Sequence, residues 1–272
     1  MGRGRRPASL HSVFERTLHE HRRSVSVWSA SLMALVVVMA ALYPTVRGNP
    51  QLATLHETYP KALRSLFGIT DLTTGVGFMR AEVFSLVAPL LLIILAVQWG
   101  GDLIAGEEDR RTIDLLLANP ISRGRVVAEK WAALAVGVTI AGAALGAGLA
   151  VAIPTVDLHI SPAGAAAAVV SVVLLALLFG TIALAVGAAT GRRGLARGVA
   201  AVLAVAAYLV SSLSDLVGWI KAIRPISPWY HALGVDPLAR GFVSAHLLVP
   251  LGLTVVVVII AVVAFDRRDL AV

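Results

Sequence analysis

The sequence predicts an all-α integral membrane protein of six transmembrane helices, preceded by an amphipathic amino-terminal interfacial helix. Two observations lead there. The 272 residues are 58% hydrophobic and only 14% charged, with a mean hydropathy of +0.84, whereas a soluble domain carries about 25% charged residues. The apolar residues also fall into six stretches of about 20, the length that crosses ~30 Å of hydrocarbon as a helix. In lipid every backbone N–H and C=O needs a partner within the segment, and continuous Ala, Val and Leu lacks the alternation of a barrel strand.

Residues 1–26 precede the first span. Leu10, Phe14 and Leu18 recur every four residues beside Val13, and Arg16, Arg22 and Arg23 supply a basic face, the pattern of a helix lying in the membrane interface. Ser12 and Glu15 have capping-box spacing. A surface anchor and a partner-contacting element both fit this segment. The transmembrane domain then fills residues 27–272. Its first span, Val27–Val46, is longer than the ~7–15 residues of a signal-peptide core, so it is expected to be retained. The following loop, residues 47–81, places Leu52, Leu55, Tyr59, Leu63 and Leu66 on one helical face interrupted by Pro60, which suits packing on the membrane surface.

The remaining spans are Val83–Ile104, Trp131–Ile153, Ala165–Thr190, Ala196–Trp219 and Val243–Phe265. Ser211, Ser212, Ser214 and Asp215 make the second half of the fifth polar. With the amino terminus in the cytoplasm, 16 of the 23 Lys and Arg lie inside and 7 outside, so the positive-inside rule puts both termini in the cytoplasm of a multi-pass cell-membrane protein. The net charge of +7 therefore reads as topology and phospholipid contact rather than nucleic-acid binding. With no cysteine, disulfides and thiolate chemistry are excluded, and neither a metal site nor a catalytic site is expected.

The charged loop between spans two and three, residues 105–130, carries the most information. Gly106 is expected to end or kink the second span. Glu107, Glu108 and Asp109 open a short helix, where the macrodipole favours negative charge. Arg110 and Arg111 follow, then Ile113, Asp114, Leu115, Leu116 and Leu117, and Asn119-Pro120 stops the helix. Ser122 caps the next helix, which runs through Arg123, Arg125 and Lys130 into the third span. An apolar ridge flanked by both signs of charge suits a groove on a soluble partner, with burial supplying affinity and charge fixing register. Leucines resting on lipid head groups are the alternative, but the acidic triplet would be repelled by an anionic leaflet.

On these residues the chain resembles a known family. The pattern from Ile104 through Gly106, Glu107, Glu108, Thr112, Asp114 to Leu117, Pro120, Ile121, Ser122, Arg123, Glu129 and Lys130 is similar to that of ABC-2 type permease subunits of ATP-binding-cassette transporters. Ile226-Ser227-Pro228-Trp229-Tyr230 with Asp236-Pro237-Leu238 and Gly241 resembles that family's last external loop, and Phe265-Asp266-Arg267-Arg268-Asp269-Leu270 its tail. The resemblance implies a permease that pairs with a second copy, as a homodimer or a heterodimer. It also implies a separate ATPase subunit holding ATP and magnesium. The loop would couple to that ATPase through Gly106, Glu107, Glu108, Arg110, Thr112, Asp114, Leu115, Leu116, Leu117, Pro120, Arg123 and Lys130. Leu10, Phe14 and Leu18 would belong to a connecting helix beside it. The segment between Trp219 and Val243 would be partly re-entrant. Consistently, the sequence contains no G-x-x-x-x-G-K-[ST] phosphate loop, so the chain is expected to bind no cofactor itself and to be a transport subunit rather than an enzyme.

Several further groups stand out. Gly142 and Gly146, and Gly187 and Gly191, have G-x-x-x-G spacing, which serves a dimer seam or ordinary intrachain packing. Gln98, Asp102, Asp215 and His246 are polar groups in or near spans, where charge is costly. Gln98 and Asp215 are candidates for a substrate pathway. Asp102 is expected at the cytoplasmic interface, and Asp215 beside Lys221 or Arg224. Two other function classes compete. A secondary transporter would show internal repeats and midplane ionisable pairs, which are not evident here. An intramembrane protease is suggested by Glu107-Glu108, but Thr112 stands where the E-E-x-x-x-R pattern has arginine. A triad drawn from Ser214, Asp215, His231 and His246 has no characteristic spacing.

Overall fold

The computed structural model describes residues 12–49, 60–110 and 122–268, and its regular structure is helical throughout, with no strand among the described residues. Six helices are long and apolar enough to cross a membrane. The first is α1 (Val13–Arg47). A short α2 (Lys61–Phe67) follows. The second span is built from α3 (Gly75–Met79), a π-helical turn (Arg80–Phe84) and α4 (Val87–Asp102). After α5 (Ala105–Asp109) come α6 (Arg123–Thr155), α7 (Pro162–Thr190) and α8 (Arg193–Leu213). Then α9 (Gly218–Ile223), a second π turn (Tyr230–Gly234) and α10 (Pro237–Arg240) lead to α11 (Ser244–Arg267).

The first difference from expectation is at the amino terminus. No break separates an interfacial helix from the first span: α1 runs through residue 27 without interruption. No Gly or Pro occurs between Val13 and Tyr43, so nothing stops the helix. At 1.5 Å per residue α1 is ~52 Å long, well beyond the ~30 Å hydrocarbon thickness. Ser12 caps it, its Oγ accepting from the Glu15 amide at 3.2 Å. Val25, Leu32, Val36, Ala40 and Tyr43 form one buried stripe at helical spacing, and this stripe packs along α6.

The bundle is organised around α7. It carries no charge, and four helices (α4, α6, α8 and α11) surround it. A helix that is apolar on all sides belongs in an interior. Its crossing with α4 is backbone to backbone: a Cβ on Gly100 would sit 2.1 Å from the Gly180 carbonyl oxygen. Small residues permit that approach in lipid, where packing replaces the hydrophobic effect between helices. Gly142 of α6 likewise faces Val173 of α7, so this G-x-x-x-G glycine serves intrachain packing. Trp131 of α6 donates to the Thr181 hydroxyl of α7 at 2.9 Å.

Other span boundaries also moved, the second span starting at Gly75 rather than Val83. The fifth helix ends at Leu213 rather than reaching Trp219, because Ser211, Ser212, Ser214 and Asp215 favour local hydrogen bonds over helix continuation; the Ser214 hydroxyl donates to the Ser211 carbonyl at 2.8 Å. The third helix begins at Arg123, eight residues before the apolar run, because Ser122 caps it by accepting from the Arg125 amide. The segment between α8 and α11 folds back over the end of the bundle, burying Trp229 and Ala232 and resting Leu238 against Gly164 at the start of α7. The bundle thus has a loop end, carrying residues 103–110 and 122–130, and a far end, carrying α2, α9 and α10.

Candidate functional site

At the loop end, α4 stops at Asp102 and the chain bends at Leu103-Ile104 before α5 starts. The bend precedes Gly106, which lies inside α5 instead of ending the span. A side chain accounts for this. The Glu107 amide bonds to the Ile104 carbonyl at 3.0 Å, leaving the Leu103 carbonyl to accept from the Lys130 ammonium at 2.6 Å. That ammonium also pairs with Glu107 Oε1 at 2.5 Å. Lys130 is 3% exposed at its side chain, and its helical neighbours Val126, Val127, Ala133 and Leu134 are all buried. A lysine on an apolar helix face is tolerable only when paired and hydrogen-bonded. That signature was legible in the sequence.

Glu108 takes a different partner. Its carboxylate holds Arg268, beyond the end of α11, through two N–H···O bonds of 2.9 and 2.7 Å, the fork-to-fork geometry that makes an arginine pair strong. Arg268 also donates to the Ala188 carbonyl at 3.2 Å. Gly191, with φ of +66°, turns the chain beside both side chains, and a Cβ there would meet Glu108 Oε2 at 2.1 Å. Glycine alone combines the left-handed conformation with that clearance. Arg123 closes the set, donating to the Arg268 carbonyl at 2.7 Å and lying 5.8 Å from the centre of the Phe265 ring. On the other flank, Asp102 meets Arg197 at 2.6 Å, and Arg193 bridges to Asp109 at 3.0 Å.

The residues of the loop thus divide. Gly106, Glu107, Glu108, Arg123 and Lys130 are drawn into a network that joins α4, α5, α6, α7 and α11. Arg110 is exposed at the edge of that network. Thr112, Asp114, Leu115, Leu116, Leu117 and Pro120 lie outside the described residues, as does Leu10. Phe14 and Leu18 are half-buried against the core, and the Phe14 amide donates to Glu129 of α6 at 3.3 Å. The first turns of α1 are therefore docked on the start of α6, adjacent to the network. His21, one turn further, stacks on Trp99 at 4.4 Å. The contacts of Arg268 and Arg197, and that of Glu129 with the Phe14 amide, were not legible, since these partners are distant in sequence and follow no period.

The pathway candidates separate as well. Gln98 is exposed on the surface of α4 and has no hydrogen-bond partner among the described residues. Asp215 lies at the far end and accepts from Arg224 at 3.2 Å. The side chains from which a triad was drawn are engaged elsewhere: Ser214 with its own helix, Asp215 with Arg224, and His231 with His246, Nδ1 to Nδ1 at 3.0 Å. Among the described residues no group of three or more His, Cys, Asp or Glu is arranged to hold a metal.

A family model described as "ABC-2 family transporter protein" matches residues 12–270, nearly the whole chain. No curated protein matches it.

Proposed function

As the chain belongs to the ABC-2 transporter family and is a permease component of an ABC transporter, we propose that it couples ATP hydrolysis by a separate ATPase subunit to substrate export. The ATPase, holding ATP and magnesium, sits in the cytoplasm at the loop end, and both termini of this chain face it. The loop tip, with Leu115, Leu116 and Leu117, docks in the ATPase. Gly106, Glu107, Glu108, Arg110, Thr112, Asp114, Pro120, Arg123 and Lys130 carry the resulting motion into the bundle, beside the start of α1 with Phe14 and Leu18.

The carrying observation is the buried anchor of Glu107 on Lys130 and Glu108 on Arg268. It makes both limbs of the loop and the last helix one body. A displacement of the tip then moves α4, α6 and α11 together, because a packed and ion-paired junction shifts between discrete arrangements rather than deforming smoothly.

Two copies pair in the membrane. Gln98 supports this, since an exposed amide on a membrane-spanning helix is costly without a partner, and a second copy or a substrate pathway between copies would satisfy it. The exposed apolar faces of α8 and α11, including Val202, Val205, Leu248 and Ile259, supply the surface shared between lipid and that copy.

The test is ATP-dependent transport by the reconstituted permease and its co-purifying ATPase. Leu115→Asp should release the ATPase while leaving the permease in the membrane. Glu108→Gln should keep the ATPase bound but lower transport per ATP hydrolysed. Unchanged transport in both variants sinks the proposal, as does full transport without ATP under an ion gradient.

A further inference from the structure

The far end holds a cavity of about 370 Å³, within the ~300–1,000 Å³ range of small-molecule sites. It lies where α2, the first π turn, the end of α8 and the segment before α11 converge. Four cations line it (Lys61, Arg64, Arg80 and Arg224) against two carboxylates, Asp215 and Asp236. Arg80 is taken by Asp236 at 2.6 Å, and Arg224 is partly engaged by Asp215. Lys61 and Arg64 have no acidic partner among the described residues, and the described residues of the wall carry a surplus of two positive charges.

The donors are also unsatisfied. Nε of Arg64 and Nε of Arg224 are both buried without a hydrogen-bond partner among the described residues. A buried donor left unpaired is costly, and planar guanidinium N–H groups match the oxygens of phosphate or carboxylate. The cavity has a second character. Ile69, Phe84, Leu216 and Trp229 line it beside the charged groups, so an anion attached to an apolar body finds both kinds of contact.

The walls are fixed rather than loose. Ser65 donates to the Ser212 carbonyl and Tyr208 to the Leu66 carbonyl, tying α2 to α8. Asp236 adopts the left-handed region with φ of +58°, a conformation uncommon outside glycine. Its side-chain bond to Arg80, and its backbone carbonyl accepting from the Ala239 and Arg240 amides, hold it there.

We propose that this cavity binds the oxyanion head group of an amphiphile, a phosphate or a carboxylate, through Arg64 and Arg224, with Lys61 attracting it to the mouth. The site stands at the opposite end of the bundle from the coupling loop and does not depend on how ATP drives the protein. It can therefore be tested on this chain alone, without nucleotide or ATPase. The full chain in phosphatidylcholine nanodiscs is titrated by calorimetry with dihexanoyl phosphatidic acid and, separately, with inorganic phosphate. Binding of the lipid alone identifies a head group read together with its apolar body. Competition by inorganic phosphate identifies the anion as sufficient. Binding of neither overturns the proposal.

Arg64→Gln should weaken whichever probe binds by about tenfold or more, the loss expected for a charge-assisted hydrogen bond. Arg64→Lys should recover only part, since it restores charge without the planar fork. Lys61→Gln, on an exposed position that leaves the fold intact, should weaken binding by a smaller factor that vanishes in high salt. Arg240→Gln, at the same end but outside the cavity, should change nothing. Equal affinity in the wild type, Arg64→Gln and Lys61→Gln would show that the binding is nonspecific and that the cavity is not its seat.

Discussion

The two ends of this molecule use the same side chains for opposite purposes. At the loop end, Lys130 and Glu107 are 3% and 12% exposed, and Arg268 and Glu108 are 21% and 16% exposed. Their charges face one another, and the Leu103 and Ala188 carbonyls accept from Lys130 and Arg268, although Arg197 Nε on the flank is buried without a partner among the described residues. At the far end, Asp215 is 62% exposed, the pairs line an open cavity, and positive charge is left over. The first arrangement suits the proposed transmission of force, and the second suits the proposed ligand. An ion pair in a protein is thus not one kind of object. Its role follows from whether its spare hydrogen-bonding capacity is satisfied within the fold.

The comparison can be broken most severely at Lys130. Glu107→Ala leaves a buried ammonium without its counter-charge, a change that costs about 3–5 kcal/mol when a buried pair is broken. The thermal midpoint of the purified chain should fall sharply. Combining it with Lys130→Met, which removes the orphaned charge, should restore much of the loss. If the double variant melts no higher than Glu107→Ala, the pair is not the anchor.

Next in size is Glu108→Gln, which exchanges a two-pronged charged pair for one neutral contact with Arg268. The expected cost is about 1–3 kcal/mol, again read as a melting shift, with faster hydrogen exchange at the end of α11. Smaller still is Asp236→Asn at the far end. Asparagine tolerates the left-handed conformation, so only the charge on Arg80 goes uncompensated. About 1 kcal/mol is expected, and the freed guanidinium should strengthen anion binding in the cavity. The smallest effect on stability belongs to Asp215→Asn. An exposed pair contributes about 0–1 kcal/mol, so the melting point should hardly move, while affinity for an oxyanion should rise as a competing carboxylate disappears. A far-end variant that destabilised as strongly as Glu107→Ala would erase the distinction between the ends.

The local features of the charged loop were legible before any fold was known. The acidic run, the proline break and the serine cap at Ser122 are features of adjacent residues, and the cap stands where its position implied. The burial of Lys130 was not read from the sequence, although the apolar residues one turn either side carry the signal. What stayed hidden was pairing at a distance. Glu108 and Arg268 are 160 residues apart, and no periodicity links them. The cavity was hidden for the same reason, since Lys61, Arg80, Arg224 and Asp236 come from separate segments that meet only when α2 and the outer loop fold over the bundle. The continuity of α1 across residues 26 and 27 was not evident either, because a change from polar to apolar residues marks a change of surroundings and says nothing of whether the helix ends.

By itself the sequence determined that six helices cross lipid and where the charged loop falls between them. Hydropathy over about 20 residues and backbone satisfaction in hydrocarbon are properties of a segment, needing no knowledge of its neighbours. Only the tertiary structure decided which acid meets which base, which glycines let α4 and α7 touch, and that surplus cations gather around a hollow. Those outcomes depend on packing between segments remote along the chain, and a charge carries no mark in the sequence of the partner that folding will bring to it.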